Sequence, residues 1–322
     1  MALVIQTEDL DTQCAAWLAE RCEFVRCSHE DPAFPELLAK ADGLVVRTYT
    51  RVNEDLLSQA PNLKVVGRAG VALENVDVHA CADRGIAVVH TPNSNTRAVI
   101  EYFTAILLDV VRPRLLLEKS IEPAQWHEVR RECVGRRELS ETTLGIIGCG
   151  RIGSGVARVA RALDMRVLAH DIRDVPEAHS GGAEMVSLDV LLEQAHVLSV
   201  HVDYRSSNRD LVNAQMLAAM QPDALLINTS RGFVIDAHAL AAHLQQHPDF
   251  RAFLDVHDPF EPIPADYPLF GLENCYLSPH LASGTVRAKR EMSWVVRDVW
   301  RVLQGEEPKY PPPAWLLQQP RG

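Results

Sequence analysis

The run Thr143-Leu-Gly-Ile-Ile-Gly-Cys-Gly-Arg-Ile-Gly153 decides the fold. A short apolar stretch ends in Gly148, Gly150 and Gly153, spaced as GxGxxG, and an amphipathic segment at 156–163 follows. In that setting the three glycines permit, in turn, a tight turn, close approach of backbone to a pyrophosphate, and close helix–strand contact. The phosphates then rest on unpaired N–H groups where the helix begins. The next apolar stretch leads to Asp171, 18 residues beyond the third glycine, where a carboxylate accepts ribose hydroxyls and repels a 2′-phosphate. The residues therefore predict a dinucleotide site with NAD favoured over NADP, and Arg173 is the nearby group that pulls the other way.

Outward from this turn, short Val/Ile/Leu-rich runs alternate with helix-period segments from end to end. That alternation predicts an α/β chain of parallel sheets covered by helices. Strand-like runs at 143–147, 166–169, 185–188, 197–201, 224–228, 252–256 and 275–277 make a Rossmann-type doubly wound sheet. Earlier runs at 3–6, 24–26, 43–47, 65–68 and 86–90 make a smaller, flavodoxin-like α/β domain, with a polar helix at 35–40 between two of them. From Glu101 the apolar residues Tyr102, Phe103, Ile106, Leu107, Val110 and Val111 recur at helical spacing until Pro113, as an inter-domain helix would. A last periodic helix, 286–303, ends at Gly305 and leads into a proline-rich tail that returns to the first domain. The expected division is a substrate domain of 1–99 with 286–322 and a cofactor domain of 100–285. Residues 114–140 read as charged and irregular. They form either an arm on a second subunit, giving a homodimer, or an arm folded back on their own chain.

Composition narrows the partners. The 322 residues carry a formal charge of −11, which opposes non-specific binding to nucleic acid or an anionic membrane. The apolar stretch at 102–111 contains Asp109 and falls well short of the ~20 residues of a spanning helix. The start, MALVIQTEDL, lacks the features of a secretory signal. Seven scattered cysteines without a CxxC pair oppose a disulfide framework and a zinc site, so a reduced, cytoplasmic setting is expected. His238, His243 and His247 have no acidic or thiol ligand at a fitting spacing and read as a solvated helix face. The arginines at 130, 131, 136 and 137 read as an exposed arm.

Chemistry gathers at three later strand ends: Asn228-Thr-Ser-Arg-Gly232, Leu254-Asp-Val-His-Asp-Pro-Phe-Glu-Pro262 and Leu277-Ser-Pro-His-Leu-Ala282. Strand C-termini are where doubly wound sheets hold ligands. Arg231, Glu261 and His280 supply a fixed cation for a carboxylate, an acid to hold an imidazole, and an imidazole for proton transfer. Singly, each is more often a surface or capping residue; together and in this order they point to catalysis.

With these motifs, and with Val65-Val-Gly-Arg-Ala-Gly-Val-Ala-Leu-Glu-Asn-Val-Asp77 and His90-Thr-Pro-Asn-Ser-Asn95, the chain resembles the D-isomer-specific 2-hydroxyacid dehydrogenases over nearly its whole length. The resemblance implies an NAD-dependent oxidoreductase that moves a hydride between nicotinamide and a small 2-hydroxy or 2-keto acid. It makes His280 the acid/base, Glu261 its partner and Arg231 the group gripping the substrate carboxylate and carbonyl. Asp255 would face the nicotinamide carboxamide. Arg151 and Ile152 would lie along the pyrophosphate, and His201, Val202 and Thr229 would line the groove. Arg47 and the N–H groups of Gly70 and Val71 match the loops that hold the acid's other end, although Arg47 is equally readable as a structural ion-pair member.

Three departures stand out. Ala72 and Glu74 replace the family's usual Gly and Asp in the substrate loop, and Asp203 replaces a Pro after His201-Val202. The segment from Asp255 to Glu261-Pro262 is one residue longer than the common pattern, which leaves Asp258 as the alternative partner of His280. A rival from another class is an NAD-sensing corepressor whose surface, not its turnover, is the function.

Overall fold

The computed structural model describes residues 1–112, 114–258 and 261–318. It divides into two compact units, Met1–Asn95 with Ser283–Gly322, and Thr96–Ala282. These divides fall a few residues before the expected ones at 99/100 and 285/286. Pro113 lies outside the described residues, as do Pro259 and Phe260 of the strand-end segment.

The first unit is built on five parallel strands, β1 (Leu3–Gln6), β2 (Glu23–Arg26), β3 (Gly43–Val46), β4 (Val65–Arg68) and β5 (Ala87–His90), in the order β2-β1-β3-β4-β5. That is the flavodoxin-like order expected. The central strands β1 and β3 are buried throughout, as strands covered on both faces must be. Helix Val295–Leu303 packs so closely on β4 that a Cβ at Gly67 would stand 2.4 Å from Val299. The tail joins the same unit: buried Asp298 accepts the N–H groups of Lys309 and Tyr310, 2.8 Å each, and Tyr310 O accepts from His90 N–H.

The second unit carries seven parallel strands: β6 (Thr143–Ile147), β7 (Arg166–His170), β8 (Glu184–Met185), β9 (Val197–Val200), β10 (Leu225–Asn228), β11 (Arg251–Leu254) and β12 (Cys275–Leu277). Their order, β12-β11-β10-β9-β6-β7-β8, reverses direction between β6 and β9, the switch point where such sheets bind ligands. Helices Thr96–Val111 and Arg151–Ala162 cover one face. They meet at Gly155, where a Cβ would lie 2.2 Å from Ile100.

Three expectations are corrected. The strand expected at 185–188 is only Glu184–Met185, because Ser187 caps a helix, Leu188–Gln194, by accepting the Val190 N–H. The irregular arm contains a helix, Pro123–Glu132, with no buried residue. The last helix is two, Val286–Ser293 and Val295–Leu303, divided at Trp294.

Candidate active site

The glycine turn is as tight as its spacing requires. Gly148 has φ +91°, and a Cβ there would lie 2.6 Å from the His201 carbonyl oxygen. At Gly153 a Cβ would lie 2.1 Å from the Gly148 oxygen, which is how the helix comes down on the strand end. Gly150 starts helix Arg151–Ala162 with no side-chain cap, so the first N–H groups there are left for an anion. A Cβ at Gly150 would meet only Arg173, at 4.0 Å. Two of the expected groove residues also hold buried polar atoms without a partner among the described residues, Thr229 Oγ1 and His201 Nδ1. These features fit a dinucleotide.

His201 donates to or accepts from Ser199 Oγ through Nε2 at 2.8 Å, and burial pushes its pKa down to about 4, so the ring is neutral. Arg151 is exposed, and Ile152 and Val202 are half-buried. The departure at Asp203 is charge-balanced: Arg205 Nε lies 3.0 Å from its carboxylate and Asn208 donates to it at 3.2 Å.

Asp171 stands at the end of β7, where the sequence predicts it, but it is covered. Its Oδ2 accepts the Cys149 N–H at 2.9 Å and Arg173 Nη2 at 3.0 Å, and its Oδ1 accepts Arg173 N–H and Nε, each at 3.0 Å. Burial pushes its pKa up, but the Arg173 hydrogen bonds and charge outweigh this and hold it below the usual carboxylate range.

Three loops after β10, β11 and β12 converge in this unit. The first is braced by Asn228, whose Oδ1 accepts from Ser230 N–H and Oγ and whose Nδ2 donates to Arg231 O at 2.8 Å. This fixes the backbone that carries Arg231, whose Nη1 donates to Ser230 O. Next to it His280 Nδ1 lies 2.7 Å from Glu261 Oε2. The carboxylate accepts there, so Nδ1 carries the proton and Nε2 is the free nitrogen. The hydrogen bond to Glu261 raises the His280 pKa above its ordinary value, against desolvation and the nearby Arg231 charge. Burial pushes the Glu261 pKa up, but the hydrogen bond and charge of His280 and the His257 N–H together bring it below the ordinary value. Asp258, the alternative partner, pairs instead with Arg209 at 3.3 Å.

Asp255 is fully buried and turned onto the His280 loop, where its carboxylate accepts Ser278 Oγ, Leu281 N–H and Ala282 N–H. His280 itself has φ +55°, a costly conformation for a side-chain-bearing residue, held by its N–H donating to Asp255 O at 2.9 Å. In this geometry the Asp255 carboxylate is spent on the loop that carries His280. Sequence reading also missed His257, whose Nε2–H donates to Ser278 O at 2.9 Å and so ties the β11 and β12 loops together.

In the first unit, Glu8 accepts four consecutive N–H groups, of Arg47, Thr48, Tyr49 and Thr50, and so shapes the loop after β3. The Arg47 guanidinium donates to Asp9 O at 2.8 Å. Gly70 has φ +156° and its N–H is spent on Arg68 O, so of the two expected donors only the Val71 N–H lacks a partner among the described residues. His90 Nδ1–H holds the Val71 carbonyl at 2.8 Å. Asn75 donates to Arg47 O and Thr50 O, so the motif around it joins the two loops; Arg68 packs against Gly70. Glu8 had no sequence signal, since its carboxylate acts on backbone N–H groups far along the chain, and Arg68 lay inside the 65–77 motif without a role read for it.

A family described as D-isomer specific 2-hydroxyacid dehydrogenase, NAD binding domain, matches residues 104–282. The chain is 35% identical to an (S)-sulfolactate dehydrogenase of Chromohalobacter salexigens, over 92% of this chain and 97% of that protein. It is 34% identical to a glyoxylate reductase of Thermofilum pendens, over 90% of this chain and 88% of that protein. Among solved structures, a D-lactate dehydrogenase of Aquifex aeolicus complexed with NAD and lactic acid superposes with a TM-score of 0.79 at 27% identity, covering 94% of this chain and 96% of that one. The TT0316 protein of Thermus thermophilus gives 0.82 at 31% identity, covering 97% and 100%. Nothing among these relatives supports a corepressor. The chain belongs to the D-isomer-specific 2-hydroxyacid dehydrogenases, NAD-dependent oxidoreductases that act on 2-hydroxy acids.

Proposed function

We propose that Arg231, Glu261 and His280 carry the reaction on a small 2-hydroxy or 2-keto acid, and the 2.7 Å contact between His280 Nδ1 and Glu261 Oε2 is the observation that carries this assignment. Bound NAD supplies the hydride chemistry at the substrate's 2-carbon. Arg231 grips the substrate carboxylate, for which a planar guanidinium is suited. Glu261 holds the imidazole by its Nδ1–H, so Nε2 faces the reacting oxygen. In keto-acid reduction the protonated ring gives its Nε2 proton to the carbonyl oxygen; in hydroxy-acid oxidation the neutral ring takes it back. Positioned proton transfer of this kind contributes about 10²–10⁴-fold.

Gly148, Gly150, Arg151, Ile152 and Gly153 would hold the pyrophosphate, Asp171 the adenosine ribose, and His201, Val202 and Thr229 the rest of the cofactor. Asp255 acts by positioning the His280 loop. Within the first unit, Arg47 and the Val71 N–H are the groups suited to an acid. The enzyme works in the cytoplasm as a homodimer: all seven cysteines are free, and the arm exposes Leu115, Leu116, Leu117, Trp126 and Val134.

The test is NADH oxidation with glyoxylate, hydroxypyruvate, pyruvate, phosphohydroxypyruvate and bulkier keto acids. At least one should turn over, with His280→Ala losing that turnover while still binding NADH. A wild-type enzyme inert to the whole panel, or a fully active His280→Ala, would sink the assignment.

A further inference from the structure

We propose that Arg173 sets the choice between NADH and NADPH by competing for Asp171, the ribose-binding carboxylate. The inference rests on the cofactor site described above. Four donors occupy Asp171: the backbone N–H groups of Cys149 and Arg173, and the guanidinium Nε and Nη2 of Arg173. A carboxylate has about four acceptor positions, so none is left for a ribose diol while the guanidinium stays. The two partners differ sharply in exposure. The Asp171 side chain is 5% accessible and that of Arg173 61%. The acid is therefore fixed, and the arginine is the part able to leave.

The guanidinium also lies over the turn where a dinucleotide must approach, with Nη2 4.0 Å from the position of a Cβ on Gly150. Its Nη1 has no hydrogen-bond partner among the described residues. Two bound arrangements follow. With NADH, the guanidinium swings off, breaking an ion pair that is exposed on one side and readily replaced by water, and Asp171 takes the diol. With NADPH, the guanidinium remains on Asp171, cancels its charge and offers Nη1 to the 2′-phosphate. An acid alone at this position would repel that phosphate. Here the repulsion is already neutralised in the free enzyme, so NADPH binds appreciably. Asp203 adds a second negative charge that favours the protonated Arg173 without contacting it, since it is held by Arg205 and Asn208.

The experiment is calorimetric or fluorescence titration of NADH and NADPH into the wild-type enzyme and into Arg173→Ala, Arg173→Lys and Asp171→Asn. Arg173→Ala should raise the ratio Kd(NADPH)/Kd(NADH) by about tenfold or more, with NADH bound as tightly as before or tighter because Asp171 is freed. Arg173→Lys, which keeps the charge but not the fork, should fall between. Asp171→Asn should move the ratio the other way. An unchanged ratio in Arg173→Ala overturns the proposal, whether both affinities fall together, as a purely structural arginine would make them, or neither moves. Failure of the wild-type enzyme to bind either nucleotide would instead overturn the cofactor site, and this inference with it.

Discussion

A Cβ on Gly232 would stand 2.0 Å from the carbonyl carbon of His257 and 2.6 Å from the amide nitrogen of Asp258. The residue after Arg231 thus touches the backbone of the loop that leads to Glu261. Backbone cannot step aside as a flexible side chain can. Gly232→Ala must push the β10 and β11 loops apart, and with them Arg231 and the Glu261–His280 pair. We expect kcat/KM to fall by about 10²-fold, since a displacement near 1 Å is enough for that, and stability to fall by roughly 1–3 kcal/mol. Steady-state kinetics and thermal melts would check both; a near-wild-type Gly232→Ala would show that these loops need no close contact.

Arg231 is proposed to bind the substrate carboxylate through two parallel N–H bonds, which an ammonium group cannot copy. Arg231→Lys should lower kcat/KM by roughly 10–100-fold. NADH affinity, read by fluorescence titration, should stay close to wild type because Arg231 is not among the residues assigned to the cofactor. Kinetics unchanged by this substitution would place the substrate elsewhere.

The arm offers a test of assembly. Leu116 is 87% exposed and Trp126, on helix Pro123–Glu132, is 46% exposed, so two large apolar side chains stand in water unless another molecule covers them. Leu116→Asp with Trp126→Asp should shift a dimer to monomer in light scattering, raising the dimer Kd by at least about tenfold. A wild-type protein that is monomeric at tens of micromolar would remove the dimer from the proposal.

What the sequence disclosed and what it withheld divide along physical lines. The glycines at 148, 150 and 153 were legible because each answers a local backbone demand, and the two parallel sheets followed from alternation and apolar runs. Helix Pro123–Glu132 was not, because it lacks the apolar stripe that periodicity detects; its Pro at the first turn and its good helix formers were the remaining signals. The strand expected at 185–188 was cut short by a serine cap, which competes with apolar content over the same few residues. Arg231, Glu261 and His280 were readable in order, with Glu261 preferred over Asp258 as the partner of His280; the geometry around them was not, since one extra residue in a turn moves a side chain by an amount that spacing cannot fix. The cover that Arg173 places on Asp171 was invisible for the same reason: a side chain two residues along points back or away according to the turn.

The pairing of Glu261 with His280 makes a prediction in pH. The hydrogen bond to Glu261, joined by its charge, raises the His280 pKa above the ordinary histidine value, and desolvation and Arg231 oppose it. With His280 as the proposed acid, reduction requires the protonated ring, so its rate should be highest at low pH and fall as pH rises through that pKa. Oxidation requires the neutral ring and should rise over the same interval. In Glu261→Gln the carboxylate charge is gone and the favoured imidazolium loses its partner, so both transitions should move to lower pH. The size of the maximal rates should drop as well, by up to about 10²–10⁴-fold, because glutamine offers either a donor or an acceptor to Nδ1 and no longer selects the tautomer with Nε2 free. Asp258→Asn serves as the control: Asp258 contacts Arg209 and not His280, so the pH profile should stay where the wild type has it. Profiles of kcat/KM in both directions, at constant ionic strength, read the shift directly. A profile that moved in Asp258→Asn and stood still in Glu261→Gln would hand the partner's role to Asp258.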